Sequence, residues 1–346
     1  MPKLTISDIA KLANVSTATV SRVIQNSKLV RPDTKNRVLS TIDKYGYVYN
    51  ALAGNLSKRK SSVLGVFVPT VESAKLSETI FSLQEMVQSF GHPIIVNNTS
   101  FNPSLERAQL RMAREHSLSG VFFIGYMTEN IPYIDELIQE GIPAIFLWDI
   151  LPDTSYNFVG FDNERATYMM TEYLISLGHR RIAFVGAMQS QVERVSKRLN
   201  GYISCMRDHK IPTTGDLIME AKPTLANGRL LMERYLDSFK GRKLPTAVFF
   251  ASDMLALGAI TACRDRGLDV PGDISIAGFD NIEYASYIFP PLTTVYVPSR
   301  EMGQVAGEFL MDLLEGGAGK PHQRCLETRL LVRGTCGPPP RHRQPS

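Results

Sequence analysis

Two sets of residues in this sequence have types and spacings that could do chemistry. The first lies in residues 1–60, where eleven Lys or Arg stand against three acids, a local charge of +8 in a chain of +4 overall that leaves −4 on residues 61–346. A short basic segment ahead of a mildly acidic body is the electrostatic footprint of contact with a polyanion. Within it Val20 and Val23 recur at helical spacing; when they face inward, Thr17, Ala18 and Arg22 face outward. An outward guanidinium near the start of a helix has the fork of donors that reads a base edge in the major groove, guanine above all. Thr5, Ser16, Thr19, Ser21 and Asn26 add hydroxyl and amide groups near helix termini, suited to phosphate oxygens and equally to capping. The second set lies in the body. Arg194 and Arg198 are one helical turn apart and share a face, Lys75 follows the first strand pattern of the body, and Asp280 follows a later one. Arginines offer several fixed hydrogen bonds and a carboxylate accepts from two hydroxyls. Ordinary surface charge is the competing account of Arg194 and Lys75.

Other chemistries are excluded by absence. There is no GxSxG or HExxH motif and no cluster of His or Cys at metal-ligand spacing, so neither an enzyme nor a metal or cofactor site is expected. Gly316–Lys320 resembles a phosphate loop only superficially, because Pro321 follows it and no strand precedes it. His179, between Gly178 and a strand, reads as a turn residue. Cys205, Cys263, Cys325 and Cys336 are scattered and form no CxxC pair, which suggests reduced thiols. No apolar leader opens the chain and no apolar run is long enough to span a bilayer, so a cytoplasmic protein without a membrane partner is expected.

The elements that must position these residues follow from periodicity. Ile6, Ile9, Ala10 and Ala13 form a first helical stripe, with Ser7 as its expected cap; Asn14 suits a sharp turn, and Ser16 can cap the second helix. A third helix opens at Pro32 and ends near Gly46. From Val63 onward strands alternate with helices, at Val63–Val68, Ile94–Asn97, Gly120–Gly125, Ala144–Trp148 and Asn157–Gly160, then at Arg181–Gly186, Thr246–Ala251, Ile274–Gly278 and Leu292–Val297. Two doubly wound parallel lobes are the economical reading. In open sheets of this kind ligands bind beyond the carboxyl ends of the strands.

The run from Leu4 to Val23 resembles the DNA-binding start of the lactose-repressor (LacI/GalR) family. So do VGFDN at Val159–Asn163, LGHRRIAFVG at Leu177–Gly186, SDMLALG at Ser252–Gly258, ISIAGFD at Ile274–Asp280 and PPLTTV at Pro290–Val295. The resemblance covers roughly residues 3 to 335. It implies an all-α helix-turn-helix domain at 1–48, a hinge helix at 49–60, and a two-lobed α/β domain like the periplasmic binding proteins. One lobe would comprise 61–160 and 292–320, the other 161–291 and 321–336, with a disordered tail at 337–346. It also implies a repressor that binds a pseudo-palindromic operator on double-stranded DNA as a homodimer, under control of a sugar effector. A transport sugar-binding protein is the rival use of the same body, set back by the helix-turn-helix.

Residue by residue, Arg198 to Tyr202 matches the family's effector motif, an arginine followed after two residues by glycine and an aromatic. Asp280 and Phe249 fall at strand ends of the implied cleft, Ser252 stands where many members carry asparagine, and Trp148 and Asn163 are further candidates that core packing or capping explains equally well. The stretch Glu193–Tyr202, with VGFDNERA and VPSREMG, is similar to gluconate-type regulators; three cations beside one cleft then favour a sugar acid. Asn50 falls in the implied hinge, and Leu56 matches the leucine that family members push into the minor groove, with linker packing as the alternative role. Gly54 weakens helix formation there by roughly 1 kcal/mol relative to alanine, consistent with a segment that is helical only on DNA. An apolar wedge of this kind kinks the duplex and gains contacts elsewhere. Leu56→Ala should therefore lose operator affinity by about tenfold or more while effector binding is retained; equal operator affinities by fluorescence anisotropy would refute the role.

Overall fold

The computed structural model describes residues 4–24, 29–47, 61–152, 154–186, 193–238, 244–317 and 320–340, in two units, Met1–Ser61 and Ser62–Ser346. Asn26, Asn50, Leu56 and the expected hinge at 49–60 lie outside the described residues.

The first unit contains α1 (Ile6–Leu12), α2 (Thr17–Ile24) and α3 (Pro32–Tyr45). Ile9, Ala10, Ala13, Val20, Val23 and Val38 form its buried core, so each helix contributes its apolar stripe. Asn14 takes φ 51° at the turn between α1 and α2. The cap of α1 is Thr5 and not Ser7: the Asp8 N–H donates to Thr5 Oγ1 at 3.3 Å and the Thr5 N–H donates to Asp8 Oδ2 at 2.9 Å. Ser7 already lies within the helix, whereas Asp8 at the third helical position can reach back to close a capping box. Ser16 caps α2 by accepting the Thr19 N–H at 3.1 Å. Pro32 opens α3, where no N–H partner is needed, and Gly46 closes it with φ 60°.

The second unit is a pair of α/β lobes. The first lobe runs through β1 (Leu64–Val68), α4 (Ala74–Gln88), β2 (Ile94–Asn98), α5 (Pro103–Glu115), β3 (Gly120–Phe123), α6 (Ile131–Gln139), β4 (Ala144–Leu147) and β5 (Asn157–Gly160). The second holds α7 (Asn163–Ser176), β6 (Ile182–Gly186), α8 (Glu193–Asp208), β7 (Ile218–Glu220), α9 (Leu225–Ser238), β8 (Ala247–Phe250), α10 (Asp253–Asp265) and β9 (Ser275–Ala277). The chain then passes through β10 (Thr294–Tyr296), α11 (Ser299–Leu314), β11 (Gln323–Cys325) and β12 (Arg329–Leu331). In the first sheet the order is β11-β5-β4-β3-β1-β2, in the second β7-β6-β8-β9, and all pairs in both are parallel. Strands β1, β3, β4, β6 and β8 are buried along their whole length, as continuous apolar runs are when helices cover both faces.

The lobe boundaries differ from the expected ones at two places. Residues 292–296 stay with the second lobe, where the Gly278 N–H donates to Thr293 O at 2.9 Å and the Asp280 N–H to Val295 O at 3.0 Å, so the chain crosses after Tyr296. Gln323–Cys325, expected in the second lobe, instead extends the first sheet beside β5. The chain returns only with β12, which pairs antiparallel to β10, and Thr335, whose carbonyl accepts the Ile276 N–H at 2.9 Å. Both corrections concern three-residue strands with too few apolar positions to show a period, placed by backbone pairing alone.

Within the second lobe, Gly201 lets α8 cross α7 at close range. A Cβ at that position would overlap the Glu164 carbonyl and the Thr167 hydroxyl. Tyr202, next to it, is fully buried, stacks on Phe184 with centroids 5.2 Å apart, and donates its hydroxyl to Ile182 O at 2.9 Å. Glycine and tyrosine of the Arg198–Tyr202 motif thus fix the helix, leaving its arginine to face elsewhere.

Candidate functional site

In the first unit, α2 presents Thr17, Ala18 and Arg22 to solvent, while Val20 and Val23 are buried beneath them. The hydroxyls of Thr5, Ser16 and Thr19 are engaged locally, with Thr5 Oγ1 donating to Asp8 at 2.6 Å and Ser16 and Thr19 sharing a hydrogen bond of 2.9 Å. Ser21 is partly buried. Thr17, Ala18 and Arg22 thus form the exposed row of α2, and the hydroxyls at its start hold the helix end in shape.

In the second unit, the carboxyl ends of both sheets converge on a cavity of about 100 Å³. It is lined by Trp148, Arg194, Arg198, Ser252 and Asp280 from the expected set, together with Thr70, Ser73 and Phe101. Two larger hollows are lined by second-lobe residues alone, one with Glu220, Lys222 and Arg234 at its border and the other mostly apolar. A space this small suits a small ligand, since ordinary ligand pockets run to roughly 300–1,000 Å³.

Each lining residue is held by a specific device. Arg198 donates from Nε to Asn163 Oδ1 at 2.8 Å and from Nη1 to Ala251 O at 3.1 Å, and its guanidinium lies 4.0 Å from the Phe279 ring centroid. Asn163 is fully buried and donates to Trp148 O at 2.8 Å, so it stands behind the pocket and orients two of its walls. Trp148 takes φ 73°, is 2% exposed and donates its indole N–H to Thr79 Oγ1 at 3.1 Å. Asp280 takes φ 112°, a backbone region that disfavours any side chain. Its loop is pinned on both sides: Asp253 accepts from the Ile282 N–H at 2.9 Å and from the Thr294 hydroxyl at 2.6 Å, while Arg333 donates to Asn281 Oδ1 at 2.7 Å.

Besides Asn163, two expected residues are not in the wall. Phe249 is fully buried, edge-on to Phe184 in the sheet core, because its position in β8 points into the helix-covered face and not past the strand end. Lys75 pairs with Glu78 at 2.7 Å, and Glu78 also accepts from Ser299 at 2.5 Å; the lysine reaches the pocket only through its field on Asp280. The strand-end rule that singled out Lys75 applies better to Thr70 and Ser73, its neighbours in the same segment. Gly125, Asp149 and Lys197 were missed. Asp149 and Lys197 pair across the lobes at 2.8 Å, and a Cβ at Gly125 would overlap the Arg194 guanidinium.

The charges are unevenly compensated. Arg194 is 9% exposed, and among the described residues no hydrogen bond or ion pair reaches its guanidinium. Burial, with Arg198 close by, lowers it to about 10; Arg198 is lowered by burial against the pull of Asp280 and Asp149. The carboxylate of Asp280 likewise has no hydrogen-bond or ion-pair partner among the described residues. No group of three His, Cys, Asp or Glu among the described residues is placed to hold a metal ion, and no described helix is long and apolar enough to cross a membrane.

A helix-turn-helix unit joined to a two-lobed α/β body with a polar cleft defines a class of ligand-responsive regulators. Residues 5–50 match the pattern of bacterial regulatory proteins of the lacI family, and residues 171–336 that of a periplasmic binding protein-like domain. The chain is 32% identical over 308 residues to catabolite control protein A of Priestia megaterium, spanning 89% of this chain and 91% of that one. It is 30% identical over 334 residues to the HTH-type transcriptional repressor CytR of Escherichia coli strain K12, spanning 96% of each. Among solved structures, the lac repressor dimer bound to operator and the anti-inducer ONPF superposes with TM-score 0.82 at 27% identity, over 96% of this chain and 99% of that one. The transcription regulator GntR from Chromobacterium violaceum gives TM-score 0.72 at 29% identity, over 79% and 98%. The chain belongs to the lacI family of bacterial transcription regulators and is not an enzyme.

Burial pushes the Asp280 carboxyl up to about 6, against the pull of Arg198, Lys75 and Arg194. A folded-state value above the ordinary 3.8 means that this group's contribution to stability is complete below pH 3.8 and is lost as pH rises through 6. Asp280→Asn is therefore expected to unfold at a higher temperature than the parent at pH 7.5, with the gap narrowing towards pH 4 in thermal denaturation. A gap that does not change with pH would show that Asp280 is not the titrating group.

Proposed function

We propose that this protein is a cytoplasmic repressor that binds a pseudo-palindromic operator as a homodimer, with its operator affinity set by a small sugar acid of the gluconate type. The observation that supports the effector class is the cleft itself. A buried guanidinium at Arg194 without a partner among the described residues, with the hydrogen-bonded Arg198 beside it, calls for an anion, while the Asp280 carboxylate, without a partner among the described residues, and the Ser252 hydroxyl suit hydroxyl groups. A neutral sugar would leave Arg194 uncompensated. The exposed row Thr17, Ala18 and Arg22 supports the DNA half, with Arg22 as the base-reading residue. Isothermal calorimetry is expected to show binding of gluconate and not of glucose, and the operator assay repeated with gluconate is expected to show changed affinity. Binding confined to neutral hexoses would remove the sugar-acid reading and leave the DNA reading standing.

One recognition helix covers a half-site, so a two-fold dimer is the geometry that reads a whole operator. Two exposed apolar faces suit that assembly. On the second lobe Phe289 is 95% exposed and Tyr287 80%, beside a hollow of about 450 Å³ edged by Leu225, Met254 and Ile260. On the first lobe the edge strand β2 exposes Ile95 and Val96. Faces of this kind are expected to be covered by a second copy. Phe289→Asp is expected to weaken self-association at least tenfold, since the substitution enters a two-fold interface twice and a central aromatic there contributes about 2 kcal/mol or more. Sedimentation velocity measures this; an unchanged dimer would place the interface elsewhere.

A further inference from the structure

The two lobes approach each other at Gly125, in the loop after β3, and Arg194, on the first turns of α8. Gly125 has φ 88°, and the Arg194 guanidinium lies directly on it, where any Cβ would stand. The nearby carboxylates do not neutralise this charge. Asp149 is already bound by Lys197, at 2.8 Å from Nζ, and Lys197 also donates to Ile150 O at 3.0 Å. Asp280 lies beyond ion-pair distance of Arg194, and Arg198, on the same face of α8, adds a like charge. Bringing the lobes together at this point therefore buries a positive charge without a partner among the described residues, which is costly in a medium less polarisable than water. A neutral ligand between the lobes would leave that cost in place. An anion in the same space would remove it, because a guanidinium can give a carboxylate two parallel hydrogen bonds.

We propose that Arg194 makes closure of the cleft conditional on an anionic ligand: the uncompensated guanidinium over Gly125 opposes the approach of the lobes, and a bound carboxylate relieves that opposition. Gly125 is then a positioning residue, since a side chain there would have to displace the guanidinium and would strain the backbone at φ 88°. The device deepens, and rests on, the sugar-acid reading above. It also explains how one site can discriminate: a polyol can meet Asp280 and Ser252 yet fail to draw the lobes together.

Trp148 is the chain's only tryptophan and lines the same cavity, so its emission reports the cleft. With full-length protein, gluconate is expected to shift Trp148 emission and reduce the radius of gyration in small-angle scattering, and sorbitol at equal concentration to do neither. Arg194→Met, which removes the charge and keeps most of the volume, is expected to show the compact radius without ligand and to bind gluconate about tenfold or more weakly. Arg194→Lys is expected to stay open without ligand, as the parent does. If ligand-free Arg194→Met keeps the open radius while its circular dichroism shows it folded, the closure device is overturned even where the parent binds gluconate. If the parent binds only neutral sugars, the effector class falls, and the ligand-free radius of Arg194→Met still decides the device. Should Arg194→Met fail to fold, Gly125→Ala serves instead: displacement of the guanidinium is expected to hold the cleft open at saturating gluconate, and closure equal to the parent's would overturn the proposal.

Discussion

The amide of Asn163 is the joint on which the cleft depends. Its nitrogen donates to the carbonyl of Trp148 in the first lobe, and its oxygen accepts from Nε of Arg198 in the second. The side chain is fully buried at the start of α7, just beyond the first crossing between lobes. A planar amide has a donor and an acceptor at fixed separation, so orienting one wall of the pocket orients the other. Arg198 is then held on three sides, by Asn163, by the Ala251 carbonyl and by the Phe279 ring, and its remaining donors face the cavity. The orientation of Arg198 is thereby tied to the relative placement of the two lobes.

Around that joint the cleft holds features that do not favour folding. Asp280 and Trp148 both adopt positive φ without being glycine. Asp280 carries its charge into a buried setting, and Asp253 behind it, pushed up to about 8 chiefly by burial and also by Asp280, is a second acid in the same wall. Such strain and burial persist because neighbouring segments over-determine the geometry: β10 on one side, Arg333 from beyond β12 on the other. The loop bearing Asp280 is thus gripped by segments that lead to and from the lobe crossings. Movement at the crossings and movement of the Asp280 carboxylate cannot be independent, which is the physical requirement for an effector to change a distant surface.

The small first unit obeys a different economy. Six apolar side chains form its core, and its helix ends are fixed by local polar devices, the Thr5–Asp8 box and the Ser16 cap. Thr17, Ala18 and Arg22 on the outer row of α2 take no part in that core.

Much of this was legible in the sequence because it rests on local chemistry. The valine spacing in α2 determined which of its residues face outward, the Pro32 and Gly46 punctuation bounded α3, and the long apolar runs from β1 to β9 determined two parallel lobes. The turn of spacing between Arg194 and Arg198, and the position of Asp280 after a strand, were enough to place all three beside one cavity. What the tertiary structure decided depends on long-range partners. Lys75 turned out to be paired and Phe249 to be core, since the strand-end rule finds a segment and cannot find which side chain faces the gap. The three-residue strands β7, β11 and β12 carry too few positions to show a period, so backbone pairing alone assigns them, and with them the true lobe boundaries. Asp149 and Gly125 are far from the arginines in sequence, and Lys197, beside them on α8, finds Asp149 only across the lobes. That an arginine is buried and unpaired is a statement about every neighbour at once, and only the folded chain can make it.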